Sequence, residues 1–375
     1  MLAIYNLFIF FSLNIFLVNT FYIREKKNIS LIEFYTIFIW HFLFSLVYFF
    51  YVVKYGGDTN GYIEYAKDYL EIEKKRSFQI GSGSNFIYIM VYFFFNDLKL
   101  DLLNIISIFN FIGFIGLIYL FKTLRNISKK ISTNNVLLKN LIYLIIFIPS
   151  LSFWTSGVGK EPFVFLSISL FLYSLNRKRL NYFILFSAFV ILFLVRWQFS
   201  IIMLFSTLLI FKFHEIPKLL KNLKVVSFLF IVFLIMNVLT SYFFNFHIFK
   251  LDPILNAIYD KQNHFIGTNL TNFDTNFLFI ILNYLFSPIN FKNIFFTIAS
   301  LENFYVIIII FLLMINFERN NLKNINLAVL SFIILFLLTI PFATFNIGIA
   351  MRQKWIVLVA IFVLLASGLK RHEKE

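Results

Sequence analysis

Long apolar runs separated by short polar connections set the pattern of this chain from end to end. They cover roughly 2–22, 31–53, 102–121, 137–156, 161–175, 181–195, 197–211, 225–244, 294–316, 325–343 and 354–369. About 20 helical residues cross a hydrocarbon layer of ~30 Å, so these runs predict transmembrane helices, the shorter ones with boundaries shifted by a few residues. Two further runs, 85–95 and 277–287, are too short to cross and predict re-entrant or interfacial helices. The expected fold is all-α: a polytopic integral membrane protein of about 11 transmembrane helices plus one or two short helices, forming a single transmembrane domain over 1–375.

Charge gives the pattern a direction. The connections 23–30, 122–139, 176–180, 212–224 and 318–324, with the tail 370–375, hold roughly 20 of the 33 basic residues. Placed together on the cytoplasmic side, as the positive-inside rule requires, they account for nearly all of the net charge of +15. The N-terminus is then outside and the C-terminus cytoplasmic. Positive charge that sorts by side is an orientation signal, which argues against a nucleic-acid partner and for contact with the lipid bilayer.

Composition agrees: 60% of residues are hydrophobic, 14% are charged and the mean hydropathy is +0.84. The first run lacks a basic leader and a small-residue cleavage site and is expected to be a retained helix. No cysteine is present, which excludes disulfides and thiol chemistry. The cytoplasmic connections contain no glycine-rich phosphate loop, so no ATP-binding domain is expected. The outer segments 54–101 and 245–293 are too small to be independent enzymes and are expected to form a cap over a site at the membrane surface.

Against this background, polar interruptions stand out. Tyr55-Gly-Gly-Asp-Thr-Asn-Gly-Tyr62 follows the second span and delivers Asp58 to the outer surface. A carboxylate there could act as a general base towards a hydroxyl or hold a divalent cation; the plain alternative is a turn that caps a helix over about 59–73. Gln79-Ile-Gly-Ser-Gly-Ser-Asn85 suits close backbone approach and equally a flexible linker. Between two runs, Pro149-Ser-Leu-Ser-Phe-Trp-Thr-Ser-Gly-Val-Gly-Lys-Glu-Pro162 places Lys160 and Glu161 at the start of a span. Glu161 favours the helix dipole there and Lys160 opposes it unless an anion such as phosphate is near; a Lys–Glu pair reaching for the headgroups is the bland reading.

Arg196 interrupts Phe193-Leu-Val-Arg-Trp-Gln-Phe199, where an arginine faces a cavity or a partner rather than lipid, or marks an interfacial hairpin. Arg352 and Lys354 open the last expected span and again point to an anion. Glu302, inside an apolar helix, is expected to face inward and orient a cation. Of the histidines only His264 is a candidate, as an orienting group. No metal-ligand spacing appears, so no metal site and no firm cofactor is assigned.

Taken in order, Gly-Asp-Thr-x-x-Tyr at 57–62, Phe-Trp-Thr-Ser-Gly-x-Gly-Lys-Glu at 153–161, Leu-Val-Arg at 194–196, Ser-Leu-Glu-Asn at 300–303 and Gly-x-x-x-Arg-x-Lys at 348–354 resemble bacterial O-antigen or capsular polysaccharide polymerase-like membrane proteins, akin to GT-C class glycosyltransferases. The resemblance implies an enzyme of the bacterial inner membrane that transfers a saccharide from an undecaprenyl (pyro)phosphate carrier to an acceptor hydroxyl at the outer face. It implies Asp58 as the catalytic acidic residue of an outer loop; from the residues themselves, Lys160, Arg196, Arg352 and Lys354 are expected to bind substrate phosphate, with Glu161, Glu302 and His264 as orienting groups. The implied partners are a polyprenyl-linked donor, a saccharide acceptor and other polysaccharide-assembly proteins. A lipid-linked oligosaccharide flippase or a non-catalytic assembly subunit is the competing reading. A transporter would place ionisable groups near the midplane, whereas these gather at one face.

Overall fold

A computed structural model describes residues 2–67, 83–131, 136–177, 180–208, 277–289, 291, 294–318, 324–344 and 346–369. Apart from an isolated bridge between Phe317 and Leu369, the described residues form helices and their connections. In chain order these are α1 (Leu2–Glu25), α2 (Leu31–Tyr55), α3 (Asp58–Lys67), α4 (Gly83–Tyr92), α5 (Leu102–Ser128), α6 (Val136–Leu141), α7 (Pro149–Ser156), α8 (Glu161–Leu175), α9 (Tyr182–Leu208), α10 (Phe277–Phe286), α11 (Ile294–Ile315), α12 (Asn324–Thr339) and α13 (Ile347–Ser367).

Local chemistry sets the helix starts. Ser30 and Glu33 form a capping box at α2, Ser30 Oγ accepting from the Glu33 amide and the Ser30 amide donating to Glu33 Oε2 at 3.0 Å. Asp101 caps α5 by accepting from the Asn104 amide. Pro149 and Pro162 sit in the first turns of α7 and α8, where a missing amide hydrogen costs nothing.

Among the described residues, six segments are long and apolar enough to cross a membrane: 31–55, 102–128, 136–156, 182–208, 296–315 and 347–367. Two more, Glu161–Leu175 and Leu327–Thr339, are apolar but shorter. The described helices therefore do not reach the expected count of about 11, and the expected span at 225–244 lies outside the described residues. The expected spans 181–195 and 197–211 meet at a kink where the pattern divides them: α9 is helical on both sides of Arg196, which leaves helical geometry at φ −148° and ψ 79°. The last helix begins at Ile347, not at 354, because Asn346 caps it by accepting from the Ile349 amide at 3.2 Å. Runs 85–95 and 277–287 are short helices, as expected.

α5 lies at the centre, packed on α1, α2, α7 and α8. Phe34, Phe109, Phe114, Phe171, Phe332 and Phe336 are fully buried, so part of the phenylalanine surplus fills the core. Other large apolar side chains face outward, among them Ile39, Leu43 and Phe50 on α2 and Ile298, Ile308 and Phe311 on α11, as on helices surrounded by hydrocarbon.

The two ends of the bundle differ in charge. At one end the buried Lys122 pairs with Glu25 at 2.9 Å and lies over the Tyr119 and Tyr173 rings, while Arg125 pairs with Glu33 at 3.1 Å. Glu33 is in the first turn of α2, and the 25 residues of that helix separate it by about 37 Å from the turn that carries Asp58. Likewise α8 starts at Glu161 and ends beside Tyr173, Arg177 and Lys122.

Candidate functional site

At the end opposite the Lys122–Glu25 pair, α2, α3, α4, α7, α8, α9 and α13 surround a cavity of about 690 Å³. Asp58, Lys160, Glu161, Arg196 and Arg352 all line it. Five charged side chains from four separate parts of the sequence converge there.

The backbone explains each placement. α2 ends at Gly56 and Gly57, whose φ values of 73° and 113° are ones that side chains with a Cβ rarely adopt. This turn starts α3 at Asp58, with its carboxylate in the first turn. Lys160 is the residue before α8 and Glu161 its first residue. At the other wall, the break in α9 falls at Arg196, and Arg196 Nη2 pairs with Glu161 Oε1 at 3.2 Å. Arg352, in the second turn of α13, pairs with Asp58 and lays its guanidinium on the Trp154 ring at 4.6 Å.

Tyr48 holds the two loops of the cavity together. Its hydroxyl lies 2.8 Å from Thr59 Oγ1 and donates to the Val158 carbonyl at 3.4 Å, and Thr59 donates to the same carbonyl at 3.3 Å. Its ring lies so close to Gly157 that a Cβ there would come within 2.2 Å of it. Gly159 is crowded in the same way by Glu161 Oε2.

Aromatic side chains supply much of the remaining wall: Tyr48, Tyr51, Tyr62, Tyr88 and Trp154. Tyr62 and Tyr88 pack edge to face at 4.8 Å, joining α3 to α4. Burial pushes the Tyr62 hydroxyl above its ordinary range, and the Glu161 and Asp58 carboxylates add to the shift. The sequence motifs contain Tyr62 and Trp154 without giving either ring a role, and Tyr48, Tyr51 and Tyr88 lie outside them. A smaller chamber of about 20 Å³ shares Glu161, Arg196 and Arg352 with the cavity and continues to Trp355.

The remaining expected site residues lie elsewhere. Lys354 is buried and does not line the cavity; its Nζ donates to Asn303 Oδ1 at 2.5 Å and to the Ser287 carbonyl at 3.3 Å. Its expected place beside Arg352 is thus corrected. Helical residues two apart are rotated by about 200°, which turns their side chains to opposite faces. Glu302 faces inward as expected, accepting from the Ser150 amide at 3.0 Å, but is also outside the cavity lining. His264 lies outside the described residues.

The arrangement can bind an anion through three cations and present a carboxylate beside it. Asp58 and Glu161 are also the groups to which a divalent cation would go, each already against an arginine. Among the described residues no three His, Cys, Asp or Glu side chains gather. No protein-family model, no curated protein sequence and no solved structure matches this chain.

Proposed function

We propose that this protein is a multi-pass membrane glycosyltransferase of the surface-polysaccharide polymerase kind. It transfers a saccharide from a polyprenyl (pyro)phosphate carrier to an acceptor hydroxyl. The observation that carries this reading is the meeting of Asp58 with Lys160, Arg196 and Arg352 in one aromatic-lined cavity. A phosphate-linked sugar needs cations at its leaving group, ring faces for its sugar, and a base for the attacking hydroxyl.

In this mechanism Asp58 takes the proton of the acceptor hydroxyl as its oxygen attacks the anomeric carbon. The bond from that carbon to the phosphate oxygen breaks, with inversion, and the electron pair leaves with the phosphate. Lys160, Arg196 and Arg352 neutralise the charge that develops there. Glu161 orients Arg196 through their ion pair. The cavity then faces outward in the bacterial inner membrane, with about 11 spans, the N-terminus outside and the Lys122 end in the cytoplasm.

Deleting the gene tests the reading through the lipid-linked saccharides that accumulate. Single repeat units on the carrier support a polymerase, and a missing single sugar supports a one-sugar transferase. Unchanged carrier-linked saccharides, or unchanged polysaccharide after alanine at Asp58, Lys160, Arg196 and Arg352 with protein levels held, overturn it.

A further inference from the structure

Lys354 and Glu302 are charged, almost fully buried and outside the cavity, and each holds a different wall of it. A buried ammonium is costly unless its hydrogens are satisfied, and Lys354 directs two of them to Asn303 Oδ1 and the Ser287 carbonyl. Asn303 is itself fixed, its Nδ2 donating to the carbonyls of Phe286 at 2.7 Å and Pro288 at 3.1 Å. Lys354 thereby ties α13 to α11 and to the end of α10. The preceding residue on α11, Glu302, accepts from the Ser150 amide, one of the unpaired donors in the first turn of α7. A carboxylate there also meets the positive end of that helix.

α7 carries Trp154 one turn further on, and α13 carries Arg352 two residues before Lys354. Adjacent residues of one helix thus anchor the two helices whose side chains stack at 4.6 Å in the cavity wall.

We infer that Glu302, Asn303 and Lys354 are positioning residues that fix the register of α7 against α13, so that Arg352 lies on Trp154 and reaches Asp58. The inference rests on the proposed reaction only in the use made of Arg352, which meets the departing phosphate. Its geometry stands independently, because a shift of either helix along its axis slides the guanidinium off the indole. The network also defines what Lys354 does: it sets the place of the cation beside it and does not itself touch phosphate.

The test uses the full chain reconstituted in lipid vesicles, with a polyprenyl pyrophosphate-linked saccharide as donor. Glu302→Ala and Lys354→Met are expected to lower kcat/KM for the donor about tenfold per folded molecule, as a displaced contact to the departing phosphate does. Glu302→Gln, whose amide oxygen still accepts from Ser150, is expected to stay within about threefold of the parent. A merely structural role lowers only the folded fraction and leaves kcat/KM per folded molecule at the parent value, and that result overturns the inference. A second readout needs no activity: in a chain with Trp40→Phe, Trp197→Phe and Trp355→Phe, Trp154 is the only indole. Glu302→Ala and Lys354→Met are expected to move its emission as far as Arg352→Met does, and unmoved emission overturns the inference. If the parent transfers no saccharide while the emission moves as expected, the reaction fails and the positioning role stands.

Discussion

Asp58 and Arg352, 294 residues apart in the chain, form an ion pair at the cavity. The Asp58 side chain is 62% exposed, so solvent screens most of their attraction and the pair contributes little to folding. On the proposed reaction, in which it is the general base, Asp58→Asn is expected to lower saccharide transfer by about 10²–10⁴-fold. Stability should change by less than about 1 kcal/mol. Transfer rate and thermal unfolding measured on the same preparation check this; an unfolding shift large enough to explain the lost activity would make the carboxylate structural.

Gly157 is expected to tolerate no side chain. Its Cβ position lies within 2.2 Å of the Tyr48 ring, so Gly157→Ala should destabilise by about 1–3 kcal/mol through overpacking. In a Tyr48→Ala background the same Gly157→Ala change should cost less, since the clash is with the ring. Denaturation midpoints of the two single variants and the double variant decide it.

Tyr48→Phe removes a hydroxyl that meets Thr59 and Val158 without changing the ring. It is expected to cost about 1 kcal/mol, with the Thr59 hydroxyl keeping its bond to Val158. Thermal unfolding measures the cost, and proteolysis of the 156–161 turn measures the loosening.

Lys122 and Glu25 form the buried pair at the far end, with side chains 9% and 6% exposed. Lys122→Met alone leaves a carboxylate buried without its partner and is expected to cost about 3–5 kcal/mol. Lys122→Met with Glu25→Gln should cost less than the single change. Transfer per folded molecule should not move in either, because the pair sits at the other end of α5 and α8 from the cavity. Unfolding curves and rates normalised to folded protein test both statements.

The absence of cysteine makes orientation measurable without background. Glu64→Cys, exposed on α3, is expected to react with a membrane-impermeant maleimide added outside intact cells. Lys129→Cys, exposed just after α5, should react only after permeabilisation. Labelling of the reverse kind would invert the bundle and put the cavity on the cytoplasmic side.

How far the site could be read in advance follows from what is rare in this chain. Asp58, Lys160, Glu161, Arg196 and Arg352 were legible because charges are only 14% of the residues, and a charge between apolar runs needs a reason. Tyr48, Tyr51 and Tyr88 were not, and Tyr62 and Trp154 stood in motifs with no role of their own, because aromatic residues make up 21% and fill core, lipid face and cavity alike. Lys354 was misplaced by reading Arg352 and Lys354 as one cluster, although helical rotation already separates them once the helix starts at Ile347. At Arg196 the interruption was visible, and it takes the form of a one-residue kink between 181–195 and the stretch that follows. Hydrophobic pattern locates apolar helix and says little about whether two stretches are joined.

Tyr48 settles a dimension of the cavity. Its backbone belongs to α2, its hydroxyl meets Thr59 beside Asp58, and its ring fills the space against Gly157, three residues before Lys160. The distance between the carboxylate turn and the cation turn is therefore spanned by a rigid aromatic side chain acting as a gauge. A flexible loop would have left that gap to thermal motion; here covalent bond lengths set it, and with it the size of molecule that can touch both sides at once.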